Sequence, residues 1–382
     1  MDYRAEFRPD IQAVRALAVA LVVLYHANIP GVHGGFLGVD VFFVVSGFVI
    51  TNVLLRERAS RGTTSIPGFY ARRIRRILPA ATVVLIATVF ATYHWLSFIS
   101  GGANADDAKY VAAFIGNFHF ASLGTQYFTA TQPPSTLQQF WSLAVEEQFY
   151  LVWPVLFLLL TLPWRTFSVV ARLICALSLI IAASLTWCII ETRQNEVWAF
   201  FSPLTRAWEL ALGALLAVIG PHLRGRSPRL GLVIASVGLG AVLVCTWIYT
   251  SATSWPGTAV IIPVLGTGMI IAGGSLRGAD RIGRILRFQP LQWLGNISYS
   301  LYLVHWPVIA IATQYAIAPL PLHSEIELVA VSVALSAILY YAIENPVRRS
   351  KWLARQRLVT FAFGAVLIGL SFATIYWHLS HY

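Results

Sequence analysis

Two residues able to do chemistry lie in one apolar stretch near the start of the chain, VRALAVALVVLYHANIP at 14–30. Arg15 comes second in this stretch, and His26 follows eleven residues later. A guanidinium binds phosphate and carboxylate groups through paired N–H donors, and an imidazole exchanges protons near neutral pH. Because charged groups are costly inside a bilayer, such residues within an apolar stretch indicate a functional site.

The spacing of the two residues predicts that they share one face of a helix. Eleven steps of about 100° amount to three turns and roughly 20°, and the rise is about 16 Å. One helix would then present a cation near one membrane edge and a titratable ring near the other. The alternative is that Arg15 snorkels to the interface while His26 caps the helix end. Polar companions on other apolar stretches favour the functional interpretation.

The composition requires a membrane to surround these residues. Of the 382 residues 57% are hydrophobic and only 11% are charged, whereas soluble domains carry about 25% charged residues. The sequence therefore predicts an all-α, polytopic helical bundle in a membrane. We expect about eleven transmembrane helices, near 11–29, 36–56, 77–97, 139–161, 169–190, 204–220, 230–249, 257–275, 294–316, 324–343 and 358–378.

The basic residues predict the orientation of these helices. Of the 27 lysines and arginines, 23 fall on alternate connections, only Lys109 and Arg193 fall on the other set, and Arg15 and Arg206 lie within spans. Cytoplasmic connections carry the excess of positive charge. The N-terminus is therefore predicted to be cytoplasmic and the C-terminus extracytoplasmic. The connection at 98–138 becomes the largest outer one, polar and rich in turn residues, and either covers an outer mouth or is an inert surface loop.

The net charge of +11 does not indicate a nucleic-acid partner. Its cations lie between apolar runs, where they orient a membrane protein rather than form a binding groove. The three cysteines, Cys175, Cys188 and Cys245, lie within apolar runs and lack the spacing of metal ligands. We therefore expect no metal and no nucleic acid.

Further polar residues fall inside predicted spans. Glu146 and Glu147 are adjacent, so they point about 100° apart and cannot face one cavity equally. We expect them to be acceptor-binding or structural residues, one of them paired with Arg206. Arg206 and Glu209 are spaced to pair with each other, the slightly preferred interpretation, and either could instead bind an acceptor sugar.

The ninth and tenth predicted spans carry polar residues as well. Ser298, Tyr302 and His305 form one polar stripe, in which His305 either lines a cofactor passage, bridges helices, or simply packs. Glu344, Pro346 and Arg348, at the end of the tenth span, suggest a structural latch made of an ion pair and a helix stop. Ser46 and Gly47, in the middle of the second span, predict a close helix approach.

Six segments in order resemble the family-3 membrane acyltransferases of bacteria. They are RALAVALVVLYH, GGFLGVDVFFVVSGFVIT, FYARRIRRILPA, FWSLAVEEQFYLVWP, LGNISYSLYLVHWP and ENPVRR. The resemblance runs from about residue 7 to 349. It implies an integral enzyme of the bacterial cytoplasmic membrane that moves an acyl group from cytoplasmic acyl-CoA, usually acetyl-CoA, to a hydroxyl of a cell-surface glycan or glycolipid.

The resemblance also implies roles for individual residues. The family's essential histidine matches His26, its essential membrane arginine matches Arg15, and its R-R-x-x-R motif matches Arg72, Arg73 and Arg76. Arginines suit the phosphates of coenzyme A, so these four are the predicted donor site. Arg75 is expected at the surface. Without the family, the arginine cluster would equally suit a positively charged cytoplasmic anchor.

At the chemical end, a neutral histidine can take the proton of an alcohol as it attacks a thioester. His26 is the predicted general base, and Asp40, early in the second span, is the predicted partner that orients it. The alternative for Asp40 is an acid that serves the helix dipole. An acyl-histidine intermediate is a competing mechanism that the sequence leaves open. A narrow pantetheine arm would pass between helices from Arg15 to His26.

The domain organisation follows from the extent of the resemblance. Residues 1–349 would form a membrane acyltransferase domain of ten helices, and 350–382 an eleventh helix. In some relatives such a helix leads to an extracytoplasmic SGNH-type domain, so we expect either a truncated chain or a membrane domain that works with a separate partner. Two other functions stay open. The aligned polar groups also suit a transporter or exporter of a glycan or lipid-linked substrate, and the chain could be a structural or binding subunit.

Overall fold

The structure is a computed structural model that describes residues 7–124, 133–163, 168–277, 284–316 and 318–381. Its described part is helical. The helices are α1 Pro9–His26, α2 Gly38–Arg61, α3 Ile66–Trp95, α4 Phe98–Ala112, α5 Gly116–Ser122, α6 Phe140–Leu160, α7 Val169–Gln194, α8 Glu196–Phe201, α9 Pro203–Leu223, α10 Pro228–Ile248, α11 Ile261–Arg277, α12 Gln289–Ala316, α13 Leu322–Leu339, α14 Asn345–Arg349, α15 Lys351–Arg355 and α16 Arg357–His381.

Local residue chemistry sets where these helices begin and end. At the start of α3, the Ser65 hydroxyl accepts a hydrogen bond from the Gly68 amide at 3.2 Å, and Pro67 occupies the first turn. Such a cap satisfies an amide that has no partner within the helix. Helix α2 ends because Gly62 adopts a left-handed conformation with φ of 74°, which a residue without Cβ takes at little cost.

The helices confirm an all-α, polytopic membrane bundle. In the described residues, nine helices are long and apolar enough to cross a membrane. Each of the eleven predicted spans overlaps one helix. The two remaining predicted spans correspond to α11, an apolar helix of 17 residues, and to α12, which carries many polar side chains. The orientation of the bundle stays a prediction.

The chain divides into two compact units. The first comprises Met1–Tyr25, Pro30–Thr64 and Val145–Asn296. Within it, a Cβ on Gly47 of α2 would collide with the Leu210 carbonyl oxygen of α9, and one on Gly213 would collide with that of Val44. These glycines let two helix backbones approach closely, as small residues do in membranes. The predicted close approach at Gly47 is confirmed.

The second unit comprises His26–Ile29, Ser65–Ala144 and Ile297–Tyr382. Here α16, the predicted eleventh span, packs on α3 and α4. His378 of α16 is only 1% exposed, and its ring centroid lies 4.4 Å from that of Phe90 and 5.0 Å from that of Tyr93 on α3. Helix α16 therefore packs on this unit through one face, which includes His378.

Two expectations need correction in this unit. The connection at 98–138 contains α4 and α5 in its described part, and residues 125–132 lie outside the described residues. The predicted helix stop at Pro346 is also wrong, because a π-helical turn at Tyr340–Glu344 joins α13 to α14. The wider turn accommodates a proline that has no N–H and would crowd the carbonyl of an α-helix. The ion pair of the latch is present at 3.8 Å between Arg348 and Glu344.

Candidate active site

Helix α1 carries both Arg15 and His26, as the sequence predicted, because it is continuous over Pro9–His26. Both side chains are half-buried. Arg15 donates to the Gln12 side-chain oxygen one turn away at 2.9 Å. His26 is the last residue of the helix, where unpaired carbonyls favour a positive charge.

His26 lies beside a second histidine. Its Nδ1 is 3.0 Å from Nε2 of His305, and the two rings are nearly parallel, with centroids 5.2 Å apart. The indole of Trp306 lies against His26 with a centroid distance of 4.6 Å. His305 is fully buried on α12, and its Nδ1 lies 3.0 Å from the Leu301 carbonyl oxygen. Of the three roles considered for His305, a bridge between helices has direct structural support.

The polar residues around His305 hold α12 against the chain that leads into α6. The Tyr302 hydroxyl lies 2.6 Å from the Ser142 hydroxyl and donates to the Gln139 carbonyl oxygen at 3.1 Å. The Trp306 indole N–H donates to the Ser135 carbonyl oxygen at 2.8 Å. These bonds fix the part of α12 on which His305 stands. The His305 ring, which contacts His26, is therefore flanked in the sequence by two residues, Tyr302 and Trp306, that bond to this chain segment.

The four arginines of α3 differ in burial. Arg72, Arg73 and Arg76 are half-buried, and the Arg73 guanidinium lies 5.7 Å from the centroid of the Phe69 ring. The expectation that Arg75 lies at the surface is wrong. Arg75 is only 8% exposed, and it donates to the carbonyl oxygens of Ala71 at 3.3 Å and Ser350 at 3.4 Å. Two of its N–H donors bond to backbone carbonyls, and its burial separates it from the three half-buried arginines of the motif.

Asp40, Arg206 and Glu209 form one buried ionic cluster. Arg206 donates to Asp40 at 2.7 Å and to Glu209 at 3.2 Å, and none of the three side chains is more than 2% exposed. The predicted pairing of Arg206 with Glu209 is confirmed. Asp40 has an arginine as its partner in this cluster. The role of Asp40 as the group that orients His26 therefore stays a prediction without a supporting contact.

Glu146 belongs to a different set of hydrogen bonds. It accepts from the Ser46 hydroxyl at 2.5 Å and from the Tyr150 hydroxyl. Glu147 is half-buried like Glu146. The idea that one of these glutamates pairs with Arg206 stays a prediction, as does acceptor binding by either. Among the described residues, no cluster of His, Cys, Asp and Glu is suited to a metal ion.

One buried carboxylate near His26 was not singled out from the sequence. Glu325 of α13 is 4% exposed, and its Oε1 accepts from the Asn28 side chain at 3.4 Å. Asn28 lies in the turn after α1 and has a left-handed backbone with φ of 47°. The available signal was an acid at the start of an apolar span, which is easily interpreted as a helix-dipole residue.

The long apolar helices define a multi-pass membrane protein, and some of them carry buried polar residues such as Arg206 and His305. A family model described as "Acyltransferase domain" matches residues 8–341. The chain belongs to this acyltransferase family.

Relatives from several bacteria agree with this assignment. The chain is 31% identical over 361 residues to Peptidoglycan O-acetyltransferase OatA of Listeria monocytogenes, covering 91% of this chain and 57% of the relative. It is 32% identical over 356 residues to Putative peptidoglycan O-acetyltransferase YrhL of Bacillus subtilis, covering 89% and 55%. It is 30% identical over 359 residues to Putative O-acetyltransferase SAS0844 of Staphylococcus aureus, covering 91% and 58%.

The chain thus spans a little over half the length of these curated relatives. No solved structure matches it.

Proposed function

We propose that this chain transfers an acetyl group from acetyl-CoA to a hydroxyl of a cell-wall glycan, with peptidoglycan as the first candidate acceptor. The observation that carries the proposal is His26, which ends a membrane helix and contacts a second buried histidine within the matched region. The names of two relatives, Peptidoglycan O-acetyltransferase OatA and Putative peptidoglycan O-acetyltransferase YrhL, state O-acetylation of peptidoglycan. The match of the present chain to both extends over about nine tenths of its length.

In the proposed step, His26 is the general base. It accepts the proton of the acceptor hydroxyl while that oxygen attacks the thioester carbon. The carbon–oxygen bond forms, the carbon–sulfur bond breaks, and the departing thiolate receives the proton from the imidazolium. The carbonyl end of α1 stabilises the positive charge that His26 carries between these two events. Atoms and charge balance without a further reactant.

The donor would be held by the cations of the arginine motif on α3. Arg72, Arg73 and Arg76 share one broad side of α3, because they stand at i, i+1 and i+4. Their guanidinium groups suit the several phosphates of coenzyme A. Arg15 stays a predicted donor-binding residue on α1, and the thioester would lie at His26.

A partner domain is a further part of the proposal. The curated relatives are longer than this chain, which covers 55–58% of them. An SGNH-type extracytoplasmic domain, joined or separate, would receive the acyl group or complete its transfer to the glycan.

The central test measures acetyl transfer from radiolabelled acetyl-CoA to purified peptidoglycan or envelope glycan in membranes that contain this protein. Replacing a general base costs roughly 10²- to 10⁴-fold in rate. We expect that loss in His26→Ala and no loss in His378→Ala, which removes a buried histidine of α16 instead. Full activity in His26→Ala would contradict the assignment of the base.

A second test addresses the donor site. We expect Arg73→Ala to weaken acetyl-CoA binding about tenfold or more, since a hydrogen bond to a charged group contributes about 1.5–3 kcal/mol. The matched control is Arg355→Ala, which removes an exposed arginine elsewhere in the second unit. Binding is measured by equilibrium titration in micelles. Equal affinity in both variants would reject the arginine motif as the donor site.

The same protein preparations distinguish the acetyltransferase hypothesis from the transporter hypothesis. A transporter would move a labelled glycan or lipid-linked substrate across proteoliposomes without consuming acetyl-CoA. Transport of the labelled substrate without acetylation would show that the protein is a transporter and would contradict the proposed function.

A further inference from the structure

We propose that His305 is a positioning residue that fixes the tautomer of His26, so that the basic lone pair of His26 lies on Nε2. The inference rests on the proposed function of His26 as a general base. It replaces the expectation that His305 lines the cofactor passage, and it assigns to His305 the orienting task that was expected of Asp40.

The argument begins at the backbone of α12. Nδ1 of His305 lies 3.0 Å from the Leu301 carbonyl oxygen. A carbonyl oxygen only accepts, so Nδ1 of His305 carries a proton and donates it. In a neutral imidazole the other nitrogen then has no proton and accepts. The helix itself therefore makes Nε2 of His305 an acceptor.

The acceptor on His305 determines the tautomer of His26. Nε2 of His305 lies 3.0 Å from Nδ1 of His26. Because Nε2 of His305 accepts, Nδ1 of His26 must donate. The proton of neutral His26 is then on Nδ1, and its lone pair is on Nε2. The orienting group of a catalytic histidine sets in this way which nitrogen acts as the base.

The surroundings keep this arrangement in place. His305 is fully buried, so water does not compete for its Nε2. Trp306 holds the His26 ring from a second direction at a centroid distance of 4.6 Å. When His26 gains a proton, its Nδ1–H bond to a neutral acceptor is retained, and that bond strengthens because the donor has become charged.

The test compares two replacements of His305. A glutamine places an amide oxygen near the former Nε2 and can still accept from Nδ1 of His26, whereas a leucine cannot. Loss of a group that orients a functional histidine costs roughly 10- to 100-fold. We expect kcat for acetyl transfer to fall by that factor in His305→Leu with KM for acetyl-CoA within about twofold, and His305→Gln to recover most of the loss.

The matched control is His378, which is also buried at 1% exposure and also lies close to the carbonyl oxygen four residues earlier, with Nδ1 2.9 Å from Thr374. His378→Leu should leave kcat unchanged. Equal loss in His305→Leu and His305→Gln would show that only the ring shape matters and would overturn the proposal. A rise in KM for acetyl-CoA with unchanged kcat would overturn it in favour of donor binding by His305.

A spectroscopic measurement keeps the proposal testable if His305→Leu does not fold or if no acetyl transfer is found. The ¹⁵N chemical shifts of labelled histidine distinguish the two neutral tautomers, and His26→Ala identifies the signal of His26. We expect the form with a proton on Nδ1 in the wild-type protein. A proton on Nε2 of His26 would contradict the tautomer proposal, whatever reaction the protein catalyses. If the proton is on Nδ1 but no acetyl transfer is found, only the proposed function is contradicted.

Discussion

The buried polar side chains of the two units have different kinds of partner. In the first, the Arg206 guanidinium contacts the carboxyl groups of both Asp40 and Glu209. In the second, His26 and His305 share one hydrogen bond, and a backbone carbonyl completes the chain. In the ionic cluster the side chains bond to one another, whereas the histidine pair is joined to the backbone of α12 through the Leu301 carbonyl oxygen.

This difference distinguishes buried polar residues that stabilise the fold from buried polar residues that can take part in a reaction. An arginine committed to two carboxylates has little left to offer a substrate, and leaving any member without a partner is costly. An imidazole pair can gain and lose a proton while its internal hydrogen bond persists. Buried charge by itself is therefore a weak indication of an active site in this fold. A pair of imidazoles that can exchange protons is a stronger one.

The largest effect on stability is expected from breaking the ionic cluster. Arg206→Met leaves two buried carboxylates without their cation, and breaking a buried pair costs about 3–5 kcal/mol. We expect a large fall in the unfolding temperature in micelles. Arg193→Met, which removes an exposed arginine of α7, serves as control and should change that temperature little.

Neutralising all three residues of the same cluster should restore stability that Arg206→Met alone loses. Replacing a complete buried ion network by neutral residues of similar volume is often neutral or stabilising. We expect Arg206→Met combined with Asp40→Asn and Glu209→Gln to recover much of the lost stability. If the triple variant also retained acetyl transfer, the cluster would be structural. Loss of transfer in a stable triple variant would instead support the predicted roles of Arg206 and Glu209 in acceptor binding or of Asp40 in orienting His26.

A smaller loss is expected at the contact between α2 and α9. Gly47→Val forces a side chain against the Leu210 backbone, which cannot move aside as a flexible side chain would. Overpacking of this kind costs about 1–3 kcal/mol or more. Gly240→Val on α10 is the matched control, since a Cβ there has no neighbour within 4 Å. Equal unfolding temperatures for the two variants would show that α2 and α9 do not pack as described.

The histidine pair should contribute less to stability than either of these. His26→Ala leaves Nε2 of buried His305 without its donor, which costs about 1–3 kcal/mol at most. The half-buried position of His26 lets water replace part of the bond. We expect a modest shift of the unfolding temperature beside a large loss of transfer. A stability loss as large as that of Arg206→Met would erase the distinction between the two regions.

The smallest effect concerns a single hydrogen bond in the first unit. The Trp153 indole N–H donates to the Thr51 hydroxyl at 2.9 Å, with both residues buried. Trp153→Phe removes this donor and some packing volume, and a hydrogen bond contributes about 0.5–1.5 kcal/mol net. Pairing it with Thr51→Val in a double-mutant cycle isolates the bond. A coupling energy near zero would remove it from the list of contacts that stabilise the unit.

The sequence by itself determined the membrane fold, because apolar helix length and charge distribution are local properties of the chain. Helical spacing also placed Arg15 and His26 on one helix and favoured the pairing of Arg206 with Glu209, which the structure shows. The close approach at Gly47 followed from a small residue in an apolar span.

Only the tertiary structure decided the partner of His26. Asp40 was the nearest acid in sequence, but it lies with Arg206, and His305, 279 residues away from His26, supplies the observed contact. Tertiary structure likewise buried Arg75 among carbonyls and carried the chain through Pro346 by a π turn. Helical spacing fixes which side chains share a face, whereas contacts between helices distant in sequence depend on packing that no local pattern encodes.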